Sequence, residues 1–375
     1  MTKDIQNKEE AYQCIGCGAY IQTDHPESPG YTPQSAYEKG LAKGEFYCQR
    51  CFRLRHYNEI QNFDVSEYFF LEQLDKIGQD EEAFVFHLVD IFDLEGSLLT
   101  GLNRFTGNKP FILVANKIDL LPKSVKLGRI QSWLTQRLHA LDLYPQDVIL
   151  LSAKKGASLD QLIEVIQDKI QNHNIYTVGV TNVGKSSVIN HVLKDLGEAD
   201  NLITTSAMPG TTLEFIELPL TEDHALIDTP GIIRSQQITH YLDREGIKVV
   251  LPDKMIKPRS FQLDSGQTIF FAGLGRLDFE RGDKTSFTFY VSNNLLLHRT
   301  KTEKADQLLA DHQGQLLSPP QAKDQLPAFK TYYIQLQANQ DLAIAGLGWV
   351  TVNQAVSLSL QLPQGVTYAV RPAMI

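Results

Sequence analysis

The chain has 375 residues, 42% of them hydrophobic and 21% charged, with a formal net charge of -9. That length exceeds a comfortable single core and predicts two or three domains, and the acidic balance excludes binding to a polyanion by bulk charge, so DNA is not an expected partner. No run approaches the roughly 18 apolar residues of a membrane span, and the opening MTKDIQNKEE has no apolar stretch for a signal peptide, so a cytoplasmic protein without membrane contact is expected.

All four cysteines fall in the first 51 residues, as Cys14-x2-Cys17 and, after thirty residues, Cys48-x2-Cys51. Two such knuckles supply the four thiolates of a closed tetrahedral Zn2+ site. Two disulfides, or four unrelated thiols, fit a reducing compartment and this spacing less well. Pro26, Pro29, Gly30 and Pro33 suit a loop between the knuckles. From Phe46 to Asn58 there is no acidic residue, and Arg50, Arg53, Arg55 and His56 alternate with Phe46, Tyr47, Phe52 and Tyr57. Arginines for phosphates beside aromatics for base stacking make a candidate RNA surface; a solvated face with a few core aromatics is the equal alternative.

The first expected strand of an α/β domain is AFVFHLVDIFD, residues 83–93. A second, FILVA, runs into Asn116-Lys117-Ile118-Asp119 at its end, where a ligand-reading loop belongs. This NKxD pattern reads guanine, because Asp119 can accept hydrogen bonds from N1 and N2 that adenine cannot offer, while Asn116 and Lys117 brace the site. DVILLSAKKG gives a third strand ending in Ser152-Ala153-Lys154, like the second guanine-contact loop of GTPases. SLDQLIEVIQDKI reads as a helix, and QNHN turns directly into the strand IYTVGV.

That strand leads into Gly179-x4-Gly184-Lys185-Ser186 and a helix, the context a phosphate loop requires. Its glycines turn backbone N–H groups around the phosphates, Lys185 reaches the β and γ phosphates, and Ser186 ligates Mg2+; Val183 and Ser187 complete the cradle. In MPGTTLEF either Thr211 or Thr212 can close over the metal, and Thr212 matches the PGxT form. HALIDTPG ends in Asp228-Thr229-Pro230-Gly231, with Asp228 for the Mg2+ shell and Gly231 N–H for the γ phosphate. An ATPase could share these phosphate motifs; the base reader decides for GTP and GDP.

In Ras-type GTPases the order is phosphate loop, switch threonine, DxxG, NKxD, SAK. Here NKxD and SAK come first, which is the same circle cut at another point. Such a cut is tolerated where the original termini lie close together. The segment after DxxG, which moves with nucleotide state in GTPases, therefore leads straight into residues 241–375. Coupling of that region to nucleotide state is expected, the alternative being a tail that covers the cut flank of the sheet. TIFFAG, SFTFYVS, TYYIQLQ, DLAIAGLGWVTV and AVSLSLQL read as strands around one polar helix, LLLHRTKTEKADQLLADH, hence an α+β or mostly β domain. Lys248, Lys254, Lys257 and Arg259 gather near its start and Arg299, Lys301 and Lys304 share the helix, as phosphate contacts or, more simply, a solvated face.

Where many GTPases carry a water-orienting glutamine after DxxG, this chain has Ile232. Unassisted turnover on the order of 10^-4 to 10^-3 per second is therefore expected. Asn182 stands where potassium-dependent GTPases place an asparagine that ligates K+; its alternative role is to shape the loop. The catalytic set is then Lys185, Asn182, Thr212 and Gly231.

The paired knuckles with a permuted GTPase carrying NKID, SAKKG, GVTNVGKSS, PGTT and DTPG, followed by a C-terminal module, resemble the bacterial YqeH GTPases over essentially the whole chain. The resemblance implies a zinc module at 1–62, a circularly permuted P-loop GTPase domain at 63–240 with a mixed, mostly parallel sheet flanked by helices, and a C-terminal regulatory or RNA-binding domain at 241–375. It also implies a role in assembly of the small ribosomal subunit, with rRNA or a precursor particle as partner. Two rivals remain: an RNA-binding scaffold in which GTP is structural, and a GTPase that regulates a non-ribosomal partner. A zinc hydrolase fails, because four thiolates leave the metal no open position for water.

Overall fold

The computed structural model describes residues 12, 21–25, 30–43, 46–49, 74–196, 215–321 and 324–375. Of the expected zinc ligands, Cys48 is described and buried; Cys14, Cys17 and Cys51 lie outside the described residues, as do Arg50, Arg53 and Arg55. Near Cys48, the rings of Tyr12 and Phe46 stack with centroids 4.3 Å apart, and helix α1 (Gln34–Lys43) brings Tyr37 against Phe46.

The strands β1 (Ala83–Asp90), β2 (Phe111–Asn116) and β3 (Val148–Leu150) are buried at every position. Continuous apolar runs of this kind belong to parallel strands covered on both faces. They join β4 (Asn174–Val178), β6 (Ala225–Asp228) and β5 (Ile216–Pro219) in the order β3-β2-β1-β4-β6-β5, with β5 alone antiparallel. Short helices α2 (Leu94–Ser97) and α3 (Leu102–Phe105) follow β1. Helix α4 (Leu127–His139) seals the sheet with Ile130, Leu134 and Leu138, spaced four apart on one face. Helix α5 (Leu159–Lys169) does so with Leu159, Leu162 and Ile166, and residues 170–173 then turn into β4, the joint of the permuted chain. Helix α6 (Lys185–Asp195) follows β4, and α7 (Arg244–Val250) leads out of the domain.

Beyond α7 the chain is mostly β. One sheet has the order β16 (Tyr368–Pro372), β13 (Gln340–Ile344), β14 (Gly348–Val352), β10 (Thr285–Val291), β7 (Arg259–Leu263). The other runs β11 (Leu297–Lys301), β8 (Gln267–Phe271), β9 (Arg276–Arg281), β15 (Val356–Pro363), β12 (Phe329–Leu336). They face each other through aromatic pairs, Phe279 with Phe287 at 5.1 Å and Phe271 with Phe289 at 5.7 Å. The expected helix over 295–312 is corrected. Residues 297–301 pair antiparallel with β8, a 3-10 turn covers Thr302–Lys304, and only α8 (Ala305–His312) is helical. Sheet pairing overrides the local helical pattern there, so Arg299 and Lys301 do not share a helix with Lys304. Arg259 donates from Nη1 to the Leu295 carbonyl (2.8 Å) and from Nη2 to the Ser292 carbonyl (3.1 Å), so both ends of its fork are engaged within the fold.

The two parts are joined by a substantial contact. Trp349 stacks on Tyr290 at 4.9 Å and meets Phe92 at 6.1 Å, and its neighbour Arg371 lies over Trp133 of α4 at 4.9 Å. Glu95 on α2 receives two bonds from Arg137, at 3.0 and 3.1 Å, and lies 3.5 Å from Arg371. Among the described residues no helix is long and apolar enough to cross a membrane.

Candidate nucleotide site

The expected nucleotide-site residues that are described converge at the carboxyl ends of β1, β2, β3, β4 and β6, where open α/β sheets hold ligands. Asn116 ends β2 and acts as a brace with three bonds. Its Nδ2 donates to the Val183 carbonyl (2.8 Å), and its Oδ1 accepts from the N–H groups of Lys117 (2.7 Å) and Ala153 (3.0 Å). One side chain thus ties the NKxD, SAK and phosphate loops together. Lys117, at φ 71°, is in the left-handed region, uncommon for a residue with a side chain and held only by strong surroundings. Here its Nζ donates to the Asn182 carbonyl (2.5 Å) and to Asp90 Oδ2 (2.6 Å).

Asp119 is oriented by Ser152, whose Oγ donates to its Oδ1 at 2.6 Å. It lines a cleft of about 730 Å3 together with Leu121, Ser152, Lys154, Asp253 and Met255. Residues 251–256 belong to the tether that leads to the C-terminal sheets. Lys154 Nζ donates to the Asp253 carbonyl, and Ile256 N donates to the Leu120 carbonyl at 2.8 Å.

On the phosphate side, Gly184 sits at φ +91°, and a Cβ there would lie 2.4 Å from Asn116 Nδ2. Glycine is required both by the backbone and by the space. Asn182 is also left-handed, at φ 67°. Lys185, in the first turn of α6, is buried; its Nζ donates to Asp228 Oδ1 (2.5 Å) and to the Thr229 carbonyl. Ser186 and Ser187 follow it, half-buried. Asp228 is fully buried, and its Oδ2 has no hydrogen-bond partner among the described residues. An orphaned carboxylate oxygen beside a buried ammonium is a donor suited to a hard cation such as Mg2+. Gly231 lies against Thr181, and Ile232 is buried and paired with Val180, turned away from any bulk water. Thr211 and Thr212 lie outside the described residues.

Three residues of this neighbourhood carried no motif. Asp90 fixes Lys117; Asp93, just past β1, accepts from Gln237 Nε2 at 2.7 Å. An acidic residue closing an otherwise apolar strand is the signal that could have marked Asp90. Gln237 has no local signal.

Two family models match the chain, one over its middle and one over its C-terminal part. Residues 174–257 fit a family described as 50S ribosome-binding GTPase, and residues 284–374 one described as YqeH-like, C-terminal. It is 42% identical to the Bacillus subtilis "Uncharacterized protein YqeH", over 98% of this chain and all of that one. It is 30% identical to NO-associated protein 1, chloroplastic/mitochondrial, of Arabidopsis thaliana, over 90% of this chain and 69% of that one. Among solved structures, YjeQ from Thermotoga maritima aligns over 42% of this chain and 52% of that chain, at 19% identity and a TM-score of 0.28, too slight a likeness to bear on the argument.

Proposed function

The chain belongs to the YqeH family, and from that premise we propose that it is a GTP-hydrolysing switch acting in assembly of the small ribosomal subunit. The observation that carries the nucleotide part is the bracing of the phosphate loop by the base reader, Asn116 on Val183 and Lys117 on Asn182. Fusing the two loops makes guanine recognition and phosphate binding one event.

In this reading Asp119, held by Ser152, accepts from the guanine edge, and the stem of Lys117 packs along the base. Lys185 would bind phosphate oxygens, and Asp228, with Ser186 and Thr212, would hold Mg2+. Mg2+ held there would supply charge that neutralises the phosphates. The Gly231 N–H reads the γ phosphate. Ile232 cannot orient water, so the chain relies on positioned charge: Lys185, and K+ held by Asn182, take the role of an arginine finger. Cys14, Cys17, Cys48 and Cys51 hold Zn2+ as a closed structural site in the 1–62 module, and Arg50, Arg53 and Arg55 beside it meet RNA phosphates. The GTPase domain, 63–240, and the C-terminal domain, 241–375, share the segment after Gly231, so nucleotide state alters engagement with rRNA or a precursor particle. The setting is the cytoplasm.

The matched 50S description names the other subunit, so the test needs both. Purified small- and large-subunit precursor particles are titrated with the protein carrying GDP or a non-hydrolysable GTP analogue, at fixed K+ and salt. Several-fold different affinity for the small-subunit precursor in the two states is expected. Equal affinity would reduce the protein to a scaffold; preference for the large-subunit precursor would move it to that pathway, and no binding would remove the ribosome from the proposal.

A further inference from the structure

Residues 232–238 are pinned at both ends. At the near end Ile232 N donates to the Gly179 carbonyl (3.2 Å) and Thr181 N to the Ile232 carbonyl (2.9 Å), which attaches the segment to the phosphate loop. At the far end Ile238 N donates to the Ala345 carbonyl (3.0 Å) and Thr367 N to the Gln236 carbonyl (3.1 Å). The segment therefore meets the β13–β14 and β15–β16 turns of the C-terminal domain. Between the ends, Arg234 donates to the Leu98 carbonyl at 2.8 Å.

Under this bar lies one carboxylate. Asp93 caps α2 by accepting from Gly96 N at 3.3 Å, an ordinary local duty. It also accepts from Gln237 Nε2 at 2.7 Å, and Gln237 in turn lies against Gly346 of the β13–β14 turn, where a Cβ would stand 3.3 Å from Gln237 Cβ. Space is reserved for this meeting. A Cβ on Gly96 would sit 2.3 Å from the carboxylate, and Gly346, at φ +76°, brings its Cα so close that a Cβ would lie 3.2 Å from Ile238 N. No part of the nucleotide chemistry uses Asp93.

We propose that Asp93 is a positioning residue that fastens the segment after Gly231 to the C-terminal domain, so that displacement at the γ-phosphate sensor carries the β13–β14 turn with it. This rests on the GTP reading above and names the link through which nucleotide state would leave the GTPase domain. Gln237, which Asp93 holds, abuts Gly346, and the next residue, Ile238, bonds Ala345, so the bar and the turn meet at the side chain that Asp93 grips.

The test is hydrogen–deuterium exchange on the full chain, with GDP and with a non-hydrolysable GTP analogue, read at the amides of Ile238 and Thr367. Wild type is compared with Asp93→Asn and with Gln237→Leu, which keeps the side-chain volume and leaves the α2 cap in place. In wild type the two amides should exchange differently in the two nucleotide states. In both variants they should exchange about five- to tenfold faster, as expected for one lost hydrogen bond, and the difference between states should collapse while GDP still protects amides 182–186. A variant that keeps the wild-type difference overturns the proposal, as does a wild type whose two amides ignore the nucleotide. Failure of GDP to protect amides 182–186 in wild type would instead bring down the GTP reading, and the link with it.

Discussion

In the proposed reading Asp119 chooses the base through acceptors alone, and Ser152 Oγ, donating to its Oδ1, holds it in place. Asp119→Asn presents an amide donor to the guanine edge and should weaken GDP by about a hundredfold or more, since hydrogen bonds to a charged group contribute about 1.5–3 kcal/mol each. Xanthosine diphosphate, whose 2-carbonyl accepts, should bind the variant better than GDP in a competition assay. Asn182 predicts a second residue-level effect: GTP hydrolysis should run faster in K+ than in Na+, and Asn182→Ala should erase that difference in a phosphate-release assay. A third concerns Asp93. Burial, with Asp90 beside it, pushes its carboxyl from the ordinary 3.8 up to about 6, against the donors from Gly346, Gln237 and Gly96. Other charges here are paired, Asp90 with Lys117 and Glu95 with Arg137 and Arg371; Arg234 bonds Leu98, and His87 is kept neutral by burial, its pKa near 3. A raised acid contributes stability that is full below its unfolded value and lost as pH rises through about 6. Denaturant unfolding should therefore show wild type losing about 2–3 kcal/mol relative to Asp93→Asn between about pH 4 and pH 7.5. The motif residues of the site were legible because their chemistry fixes their spacing. Asp93 and Gln237 were not, since their meaning arises only from a contact 144 positions apart.

Elements were read from the sequence according to how far their partners lie. β1, β2 and β4 are mostly apolar runs, β2 and β4 leading into motif residues, and all three form strands where the pattern puts them. β1 stops at Asp90 rather than 93 because Asp93 begins the α2 cap. β7, β9, β11 and β16 escaped notice, being short strands with polar faces whose identity depends on antiparallel neighbours. The docking of the C-terminal sheets was equally illegible, for Trp349 looks like any strand aromatic until Phe92, Tyr290 and Arg371 surround it. Its position makes Trp349→Ala costly, by about 3–5 kcal/mol in denaturant unfolding. The lost stability should be accompanied by faster exchange at the Thr367 amide, since the same substitution loosens the joint.

At the scale of the molecule, the nucleotide site is assembled from residues 90 to 255, apart from the cysteine knuckles. If the four cysteines hold zinc as proposed, chelation should release one ion per chain and weaken particle binding while GDP affinity is kept, measured by metal analysis and nucleotide titration on the same sample. The permuted order has another outcome, set by time rather than space. A chain made from its N-terminus presents β1, β2 and β3 before β4 exists, yet β1 must pair with both β2 and β4. Until then the nascent half-sheet carries an open edge along β1, a largely apolar strand prone to wrong partners. The NKxD and SAK loops are made first, with Asn116 already on Ala153 and Lys117 on Asp90, but their bonds to Val183 and Asn182 wait until the phosphate loop is synthesised. Nucleotide capture is consequently a late event in the birth of this protein, and a guanine nucleotide held in the site certifies that the sheet has closed.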